Sequence, residues 1–329
     1  SHSFIPGAAA KESVMHPFRF GVQCTSLPPE GFAAQVQRIE ALGYSTLFCP
    51  DHFSPQWDPT VLLAGVAAVT TRLRVGALVY GVDYRHPVIY AKQAASLHLL
   101  SRGRHEFGIG AGWMETDYQQ AGMRYDTPGP RIERLEETLQ IALGMWSQDT
   151  FSFAGKHYSI KDVPKACTLR AGERPQILVG GGGKRLLSVA GRYADIVGIN
   201  PSLPEGKVTA TTPADQSPER VREKVSWVRA AAEKAGRDPN AIELQALSFV
   251  LAITDTPGAL REALARSSGM TVEQVADCPL FLTGSAAEIQ DRLAKRREQT
   301  GISYVVVQGA EMEQVERFAA EVMAPLGAR

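Results

Sequence analysis

Two groups of residues in this chain could do chemistry, and the first is the adjacent pair Asp51 and His52. The pair follows a short apolar run, Thr46-Leu-Phe-Cys-Pro50. Histidine titrates near neutral pH and a neighbouring carboxylate can hold its tautomer, so the two side chains are candidates for general acid and base work. A capping aspartate beside a hydrogen-bonded histidine would give the same pair, and the residues alone leave both interpretations open.

The second group is a run of four glycines, 180–183, between the apolar run 177–179 and a segment with leucine, valine and alanine at helical spacing. This order predicts a strand, a tight loop and a helix. Glycines let the backbone approach a bound group, and a helix N-terminus offers free N–H groups with a partial positive charge. Lys184 and Arg185 would oppose that dipole unless an anion is bound. We therefore expect a phosphate site, while a merely sharp turn is the alternative.

Eight strand-like segments alternate with helices and would position these residues. The predicted strands are 18–23, 46–50, 73–79, 105–109, 177–179, 194–199, 242–250 and 302–308. The predicted helices are about 31–42, 59–69, 87–100, 129–146, one that starts near 184, 219–235, 285–299 and 312–323. This alternation favours a parallel α/β fold, the (β/α)8 TIM barrel, whose active site lies at the C-terminal ends of the strands. A doubly wound open sheet is the alternative.

No linker is rich enough to divide the chain into several domains. We expect a flexible N-terminal tail over residues 1–16 and one barrel domain over 17–329. Insertions are expected at about 147–175, 200–218 and 251–282, because these segments interrupt the alternation. The first should contain a hairpin at 150–160, the second is a long loop that suits a lid or a disordered segment, and the third has two short helical patterns.

Composition narrows the class of partner. The 329 residues include 35 basic and 35 acidic side chains, so electrostatics does not favour nucleic acid or an anionic membrane. The four cysteines are scattered and form no C-x-x-C pair, which suggests a reducing compartment without a structural metal or disulfides. No apolar run approaches the roughly 18 residues of a membrane span. We expect a soluble cytoplasmic protein that binds a small-molecule substrate.

Several aromatic residues fall in predicted loops at the same end of the barrel, where flat rings would suit a flat heterocycle. These are Trp57, Tyr80, Tyr84 and Trp113. Each of them singly could equally belong to the core. No H-E-x-x-H, G-x-S-x-G or P-loop motif occurs, which speaks against a zinc protease, an α/β-hydrolase and a P-loop NTPase.

An ordered set of motifs covers residues 18 to about 325. It consists of Phe-Gly-Val-Gln (20–23), Ala-Leu-Gly-Tyr (41–44), Pro-Asp-His-Phe (50–53), Arg-Leu-Arg-Val-Gly (72–76), Arg-His-Pro (85–87), Leu-Ser-Arg-Gly-Arg (100–104), Gly-Ile-Gly-Ala-Gly-Trp (108–113), the four glycines, Tyr-Ala-Asp-Ile-Val (193–197) and Leu-Thr-Gly-Ser-Ala-Ala-Glu-Ile (282–289). Through this set of motifs, the chain resembles the bacterial luciferase-like oxidoreductase superfamily. Within that superfamily it resembles the branch that uses the deazaflavin coenzyme F420.

The resemblance implies a TIM barrel with insertions, usually a homodimer, that binds a flavin or deazaflavin with its ring in the barrel mouth. It places the cofactor phosphate at the glycine loop, and it places a non-proline cis peptide behind the ring at the position that matches Ala77-Leu78. The implied cofactor-binding residues are Asp51, Ala77, Leu78, Tyr80, Ala111, Gly112, Trp113, Thr116, Gly180, Gly181, Gly182, Gly183, Lys184 and Arg185.

Pro-Asp-His-Phe followed by a tryptophan is similar to the motif of F420-dependent sugar-phosphate dehydrogenases, which gives His52 and Trp57 catalytic roles by resemblance. Those enzymes place a glutamate acid where this chain has Trp113. Glu115 is the substitute if its side chain turns inward.

The resemblance as a whole predicts an F420-dependent oxidoreductase that transfers a hydride between the deazaflavin C5 and a small organic substrate. The expected reaction is reduction of a C=C or C=N bond. An FMN-dependent monooxygenase on the same barrel is the alternative enzyme, and a non-catalytic flavin-binding protein is the alternative of another class.

Overall fold

The centre of the computed structural model, which describes residues 15–203, 206–309 and 311–327, is a closed barrel of parallel strands. In chain order the strands are β1 Arg19–Gln23, β2 Thr46–Cys49, β3 Arg74–Ala77, β4 Tyr80–Gly81, β5 His105–Gly110, β6 Thr150–Ala154, β7 Ser159–Pro164, β8 Gln176–Gly181, β9 Ile196–Ile199, β10 Glu243–Ser248, β11 Val250–Ile253, β12 Phe281–Gly284 and β13 Ile302–Gln308. The barrel runs β1, β2, β3, β5, β8, β9, β10, β13, and β13 pairs with β1. This closure confirms the TIM barrel over the open sheet.

Helices cover the outside of the barrel. They are α1 Phe32–Ala41, α2 Pro59–Val69, α3 Pro87–Leu100, α4 Glu115–Gln120, α5 Pro128–Ser147, α6 Lys184–Tyr193, α7 Pro218–Lys234, α8 Gly258–Ser268, α9 Val272–Asp277, α10 Ala286–Thr300 and α11 Met312–Phe318, which a π-helical turn extends to Met323. Several helices begin with a proline that directly follows a polar N-cap residue. Asp58 caps α2, which begins at Pro59, and Ser217 caps α7, which begins at Pro218. These signals fix where those helices begin.

Side chains alternate along the strands and so form two layers. Outward-facing apolar residues pack beneath the helices, and a smaller inner cluster fills the barrel with Phe48, Leu78, Leu178, Ile196, Leu247, Tyr304 and Val306. Below that cluster, the carboxylate of Glu106 is fully buried, pairs with Arg19, and lies 2.7 Å from Arg74 Nε. Burial would raise the pKa of Glu106, but the two guanidinium groups outweigh it and hold the pKa below its usual value. This polar plug fills the N-terminal end of the barrel.

The insertions have structure that the sequence predicted in part. The hairpin in the first insertion is confirmed as β6 and β7, and the two helical patterns in the third are α8 and α9. The sequence predicted one strand over 242–250, but β10 ends at Ser248 and a separate strand, β11, begins after Phe249. The parallel pair of β11 and β12 was therefore not predicted.

The described residues 200–203 and 206–217, which we call the strap, follow β9 at the C-terminal end of the barrel. Lys224, a fully buried side chain of α7, donates to the main-chain oxygens of Asn200 and Asp215 at 2.9 Å and to the Asp215 carboxylate at 2.6 Å. Gly206, further along the strap, accepts a hydrogen bond from the N–H of Glu115. The strap is therefore held at its base by α7 and near its middle by α4.

The expected N-terminal tail and the expected absence of a membrane span both concern residues beyond those that the structure describes. Of the expected N-terminal tail, 1–16, only Met15 and His16 lie within the described residues. Within the described ranges, none of the helices combines the length and the apolar character that a membrane crossing requires.

Candidate active site at the barrel mouth

His52 leaves the C-terminal end of β2 and meets a carboxylate from a different element. Its Nδ1 lies 2.6 Å from Oδ2 of Asp117 in α4. Asp117 is 3% exposed, while 23% of the His52 side chain remains accessible. Tyr84 donates a second hydrogen bond to the same carboxylate oxygen at 3.1 Å. The arrangement fixes the imidazole ring through one nitrogen, and no described residue hydrogen-bonds to the other, which a reaction partner could contact.

Asp51 points away from His52, so the expectation that the adjacent carboxylate orients the histidine is wrong. Successive side chains of an extended segment lie on opposite sides, which separates the two neighbours. The Asp51 carboxylate accepts a hydrogen bond from the N–H of Gly81 at 3.2 Å and pairs with Arg85 at 2.7 Å. Burial raises the pKa of Asp51 despite that pairing. Asp51 thus ties the end of β2 to the segment that follows β3.

Of the two tryptophans expected beside the site, Trp113 is the one that contacts the histidine. Its ring meets His52 edge to face, with centroids 5.6 Å apart. The Trp57 ring instead stacks on Phe32 of α1 with centroids 5.8 Å apart, and the main-chain N–H of Trp57 donates to the carbonyl of Thr25. In this structure the aromatic wall of the His52 site is therefore Trp113.

Glu115 does not make the inward turn that a catalytic role would require. It is the first residue of α4, is exposed, and accepts a hydrogen bond from Gln119 at 3.2 Å, one turn along the same helix. Thr116 is exposed as well, whereas Asp117 is buried. Only the third residue of this short helix is thus directed at His52.

The floor of the mouth carries a non-proline cis peptide, one bond later than expected. The cis bond joins Leu78 and Val79, not Ala77 and Leu78. The reason lies in the strand ladder, because the N–H of Leu78 still donates to the carbonyl of Cys49 in β2 at 3.0 Å. The regular backbone therefore continues through Leu78. Leu78 joins the inner cluster, while Ala77 belongs to the outer core.

Val79 forms the centre of that floor together with glycines of the neighbouring strands. A Cβ at Gly110 would lie 2.8 Å from the Val79 side chain and one at Gly180 would lie 3.4 Å from it. Tyr80, by contrast, packs its ring on Tyr90 at 5.4 Å in the outer layer. The floor thus presents one small apolar side chain and flat backbone, a surface that suits a planar ring, and the Tyr80 ring takes no part in it.

The glycine loop joins β8 to α6 as predicted, and the surroundings of Gly182 and Gly183 differ. A Cβ at Gly182 would clash with the main chain of the strap at 200–202, whereas one at Gly183 would meet only Ser202 Oγ, at 3.8 Å. Gly183 caps α6 without a side-chain hydrogen bond. The first turn of α6 therefore has N–H groups without a side-chain acceptor, and an anion such as phosphate would fit there.

The two cations of that first turn differ in their surroundings. Arg185 donates to Glu133 at 3.0 Å, and Lys184 Nζ lies 6.0 Å from the ring centre of Trp227. Both side chains are exposed. The charge of Lys184 is thus exposed at the edge of the loop, whereas that of Arg185 is already paired with Glu133.

Exposed apolar side chains mark the rim of the mouth. Phe53 follows β2 and is 45% exposed, Phe249 follows β10 and is 53% exposed, and Val208 on the strap is 64% exposed. Phe53 also packs on Tyr84 at 4.7 Å, which places it beside the His52 pair. Large apolar groups exposed around a concave site are typical of binding surfaces for apolar ligands.

Asp117 and Arg85 are the residues of the candidate site whose contacts the sequence did not indicate. Asp117 lies in a stretch interpreted as a loop, although Glu115 and Asp117 together are acidic residues of the kind that begin a helix. That signal would have placed Asp117 on a short helix next to the end of β5. Arg85 pairs with Asp51, which is distant in sequence, and the sequence carries no signal for this contact.

Comparisons with known proteins agree with this architecture. Among curated proteins, the chain is 30% identical over 238 residues to the phthiodiolone/phenolphthiodiolone dimycocerosates ketoreductase of Mycobacterium bovis (strain BCG / Pasteur 1173P2), over 70% of this chain and 56% of the relative. A protein of the same name from Mycobacterium sp. (strain JLS) is 32% identical over 225 residues, 65% of this chain and 53% of that protein. The chain thus spans a little over half the length of these relatives.

Solved structures share the fold at low identity. The coenzyme F420-dependent tetrahydromethanopterin reductase from Methanopyrus kandleri matches with a TM-score of 0.73 at 18% identity, over 94% of this chain and all of that one. An F420-dependent secondary alcohol dehydrogenase in complex with an F420-acetone adduct gives 0.75 at 16% identity, over 94% and 99%. EDTA monooxygenase from Chelativorans sp. BNC1 gives 0.74 at 17% identity, over 94% of each chain.

A family model described as luciferase-like monooxygenase matches residues 11–328, nearly the whole chain. The resemblance expected from the motifs is thereby confirmed. The chain belongs to the luciferase-like family of oxidoreductases.

Proposed function

We propose that this protein is an F420-dependent oxidoreductase that transfers a hydride between the deazaflavin C5 and a small organic substrate at the barrel mouth. The observation that carries the proposal is the pair of His52 and Asp117, held 2.6 Å apart beside Trp113. Hydride transfer needs a proton partner, and this pair is placed to serve as one. The two F420-dependent enzymes among the structural neighbours add support for the cofactor.

The cofactor would be held by backbone more than by side chains. Its ring would lie on the floor formed by Val79 and the strand glycines, and its phosphate would cap the N-terminus of α6 at Gly183. When bound, the deazaflavin supplies a carbon that carries hydride and reacts poorly with oxygen. Ala111 and Gly112, which follow β5 directly, remain proposed contacts of the same ring.

His52 would hold the proton that accompanies the hydride. Because Nδ1 faces Asp117, Nε2 is the atom that would give the proton to the substrate or receive it. Addition of hydride to a C=N or C=O bond leaves negative charge on the heteroatom, which a proton at that position would neutralise. The sequence favoured a C=C or C=N bond, and the name of the curated relatives, a ketoreductase, adds C=O as a substrate class to test.

The substrate would have an apolar part, since Phe53, Phe249 and Val208 surround the mouth. We further propose that the strap acts as a lid over this substrate. It lies against the glycine loop at 200–202 and is held in place by Lys224. Deletion of the strap should then raise the KM or lower turnover, and an unchanged KM with unchanged turnover would rule out the lid.

The reaction can be tested with reduced F420 and a panel of ketones, imines and enones under anaerobic conditions. The proposal predicts oxidation of the cofactor that depends on the substrate and is strongly slowed in His52→Ala. Oxygen consumption with reduced FMN and the same compounds would instead support the alternative, an FMN-dependent monooxygenase. Cofactor binding that supports neither reaction, and that His52→Ala leaves unchanged, would indicate a non-catalytic flavin-binding protein.

We also propose that the protein forms a homodimer. Exposed apolar side chains occur on the neighbouring helices α2 and α3, namely Val61, Ile89 and Leu100. Pairing of two copies through these helices would cover them. Light scattering after gel filtration should give twice the mass of the chain, and a lower mass in Val61→Glu would identify the face.

A further inference from the structure

A pocket of about 340 Å³ lies between helices α7 and α10, and none of its lining residues belongs to the barrel mouth. Helix α7 packs against α6 on one side and against α10 on the other, so the pocket is on the opposite side of α7 from the glycine loop. Its wall also includes Gln216 at the end of the strap and the turn that follows α9. No residue of the proposed active site lines it.

The charge of the pocket wall is unbalanced. Four cations, Arg222, Arg292, Lys295 and Arg296, face two carboxylates, Glu219 and Asp277, which leaves a net charge of +2. Arg222 is paired with Glu219 at 3.1 Å. Arg292, Lys295 and Arg296 form no ion pair with any carboxylate of the described residues. The unpaired cations all come from one face of α10.

Two side chains of the pocket wall are buried with unused hydrogen-bonding groups. Arg296 is only 7% exposed, its Nη1 has no partner in the described structure, and its Nη2 donates to the carbonyl of Asp277 at 3.3 Å. Gln216 is fully buried, and neither its amide nitrogen nor its amide oxygen has a partner among the described residues. Burial lowers the pKa of Arg296 to about 10. Such groups destabilise a fold unless a ligand or water satisfies them.

We propose that this pocket binds a phosphate group carried by a small hydroxylated molecule. Arg296, Arg292 and Lys295 would contact the phosphate, because guanidinium groups suit its oxygens and the local charge lacks a counterion. The amide of Gln216 would bond to hydroxyl groups, since it offers both a donor and an acceptor. The volume is within the range of small-molecule sites and exceeds what a single inorganic anion would fill.

Calorimetric titration of the full chain tests the proposal with two probes, ribose 5-phosphate and inorganic phosphate, at constant ionic strength kept with sodium chloride. We expect ribose 5-phosphate to bind more tightly than inorganic phosphate. Lys295→Gln, an exposed position, and Arg296→Met should each weaken this binding at least tenfold. Lys161→Gln, which removes one exposed cation from β7, should bind as the wild type does. Arg296→Met should also melt at a higher temperature in phosphate-free buffer, because it removes a buried unpaired charge.

Because phosphate could also bind at the glycine loop, Arg185→Gln separates the two sites. Binding lost in Arg185→Gln but kept in Lys295→Gln would overturn the proposal and assign the probe to the loop. Absence of binding to the wild type would overturn it as well, and equal affinity for inorganic phosphate would overturn the organic part. If Arg296→Met does not fold, Gln216→Leu takes its place, with the same expected loss. The proposal is independent of the reaction at the mouth, so either can fail alone.

Discussion

Among single residues, the proposed chemistry depends on His52 and its partner Asp117. His52→Ala should lower kcat by about 10²- to 10⁴-fold, since it removes a positioned proton donor. Asp117→Asn should cause a smaller loss, roughly tenfold, because the ring stays present but is no longer oriented by a charge. Steady-state assays with the best substrate of the panel measure both, and cofactor affinity should stay the same in both variants.

Glu115→Gln is the matched control for this pair, because it changes a carboxylate only two positions from Asp117. Its carboxylate is exposed and bonds to Gln119, so kcat should be unchanged. A large loss in Glu115→Gln with little loss in Asp117→Asn would reverse the two roles assigned here.

A second residue, His105, should make stability depend on pH. It is fully buried in β5, its Nδ1 faces the carbonyl of Val75 at 3.1 Å, and burial lowers its pKa to about 4 from 6.5. Between these values the unfolded chain binds more protons, so stability falls as the pH drops. Between pH 7 and pH 5, the free energy of unfolding of His105→Asn should fall by roughly 2 kcal/mol less than that of the wild type. Urea unfolding at both pH values measures this difference.

If His105→Asn kept the wild-type dependence of stability on pH, the buried imidazole would not be its source.

The sequence identified His52 but not its partner, and the difference is physical. His52 follows a strand end that apolar periodicity marks clearly. Asp117 acts only because a six-residue helix, too short to show a period, turns it toward β2. The orientation of Glu115 depended on that same short helix, and the orientation of Trp57 on its packing against Phe32 of α1, so their proposed roles could not be settled from spacing.

At the scale of elements, the glycine loop and the strap act as one unit. Gly182→Ala should push the strap away from the loop, because its Cβ would clash with the main chain at 200–202, and should cost about 1–3 kcal/mol of stability. Gly183→Ala should be nearly neutral, since its Cβ has open space. Chemical denaturation compares the two, and equal losses would show that the clash does not decide the effect.

The buried lysine of α7 should determine how firmly the strap is held. In Lys224→Met, the Asp215 carboxylate keeps only its hydrogen bonds from Ser202 and Arg220. Loss of the charged hydrogen bonds from Lys224 should lower the free energy of unfolding by roughly 2 kcal/mol. Although burial opposes ionisation, the bond from Lys224 holds the pKa of Asp215 below its usual value, so this contribution should fade as the pH falls below about 4. Limited proteolysis should cut the strap faster in the variant.

Lys234→Met, an exposed position at the last turn of α7, is the control for that substitution. It should leave the rate of cleavage unchanged. Faster cleavage in both variants would point to a general loosening of α7 and not to the anchor at Asp215.

Element boundaries followed the sequence where the chain carries strong local signals. Helices α2 and α3 begin at a proline behind a cap and have the predicted bounds, 59–69 and 87–100. Helix α4 and the pair of β11 and β12 were missed, because segments of four to six residues carry too little periodicity. The position of the cis bond also required the register between β2 and β3.

At the scale of the whole molecule, closure of the barrel brings the ends of β2, β3, β5 and β8 to one mouth. The count of eight strands predicted this convergence, and the strand pairing confirms it. The substrate could not be predicted, since it depends on side chains of the rim and the strap. Those segments have no regular spacing of apolar residues, and their packing is set by contacts between residues that are distant in sequence.

Parallel titration of the cofactor-free protein with F420 and FMN tests whether the mouth binds F420 in preference to FMN. Tryptophan fluorescence reports the binding, and Trp113→Phe should remove more of the signal than Trp57→Phe, because Trp113 lies against His52. We expect micromolar affinity for F420 and much weaker binding of FMN, as the proposed function requires. Tight binding of FMN with weak binding of F420 would contradict it and direct the work to oxygen-dependent chemistry.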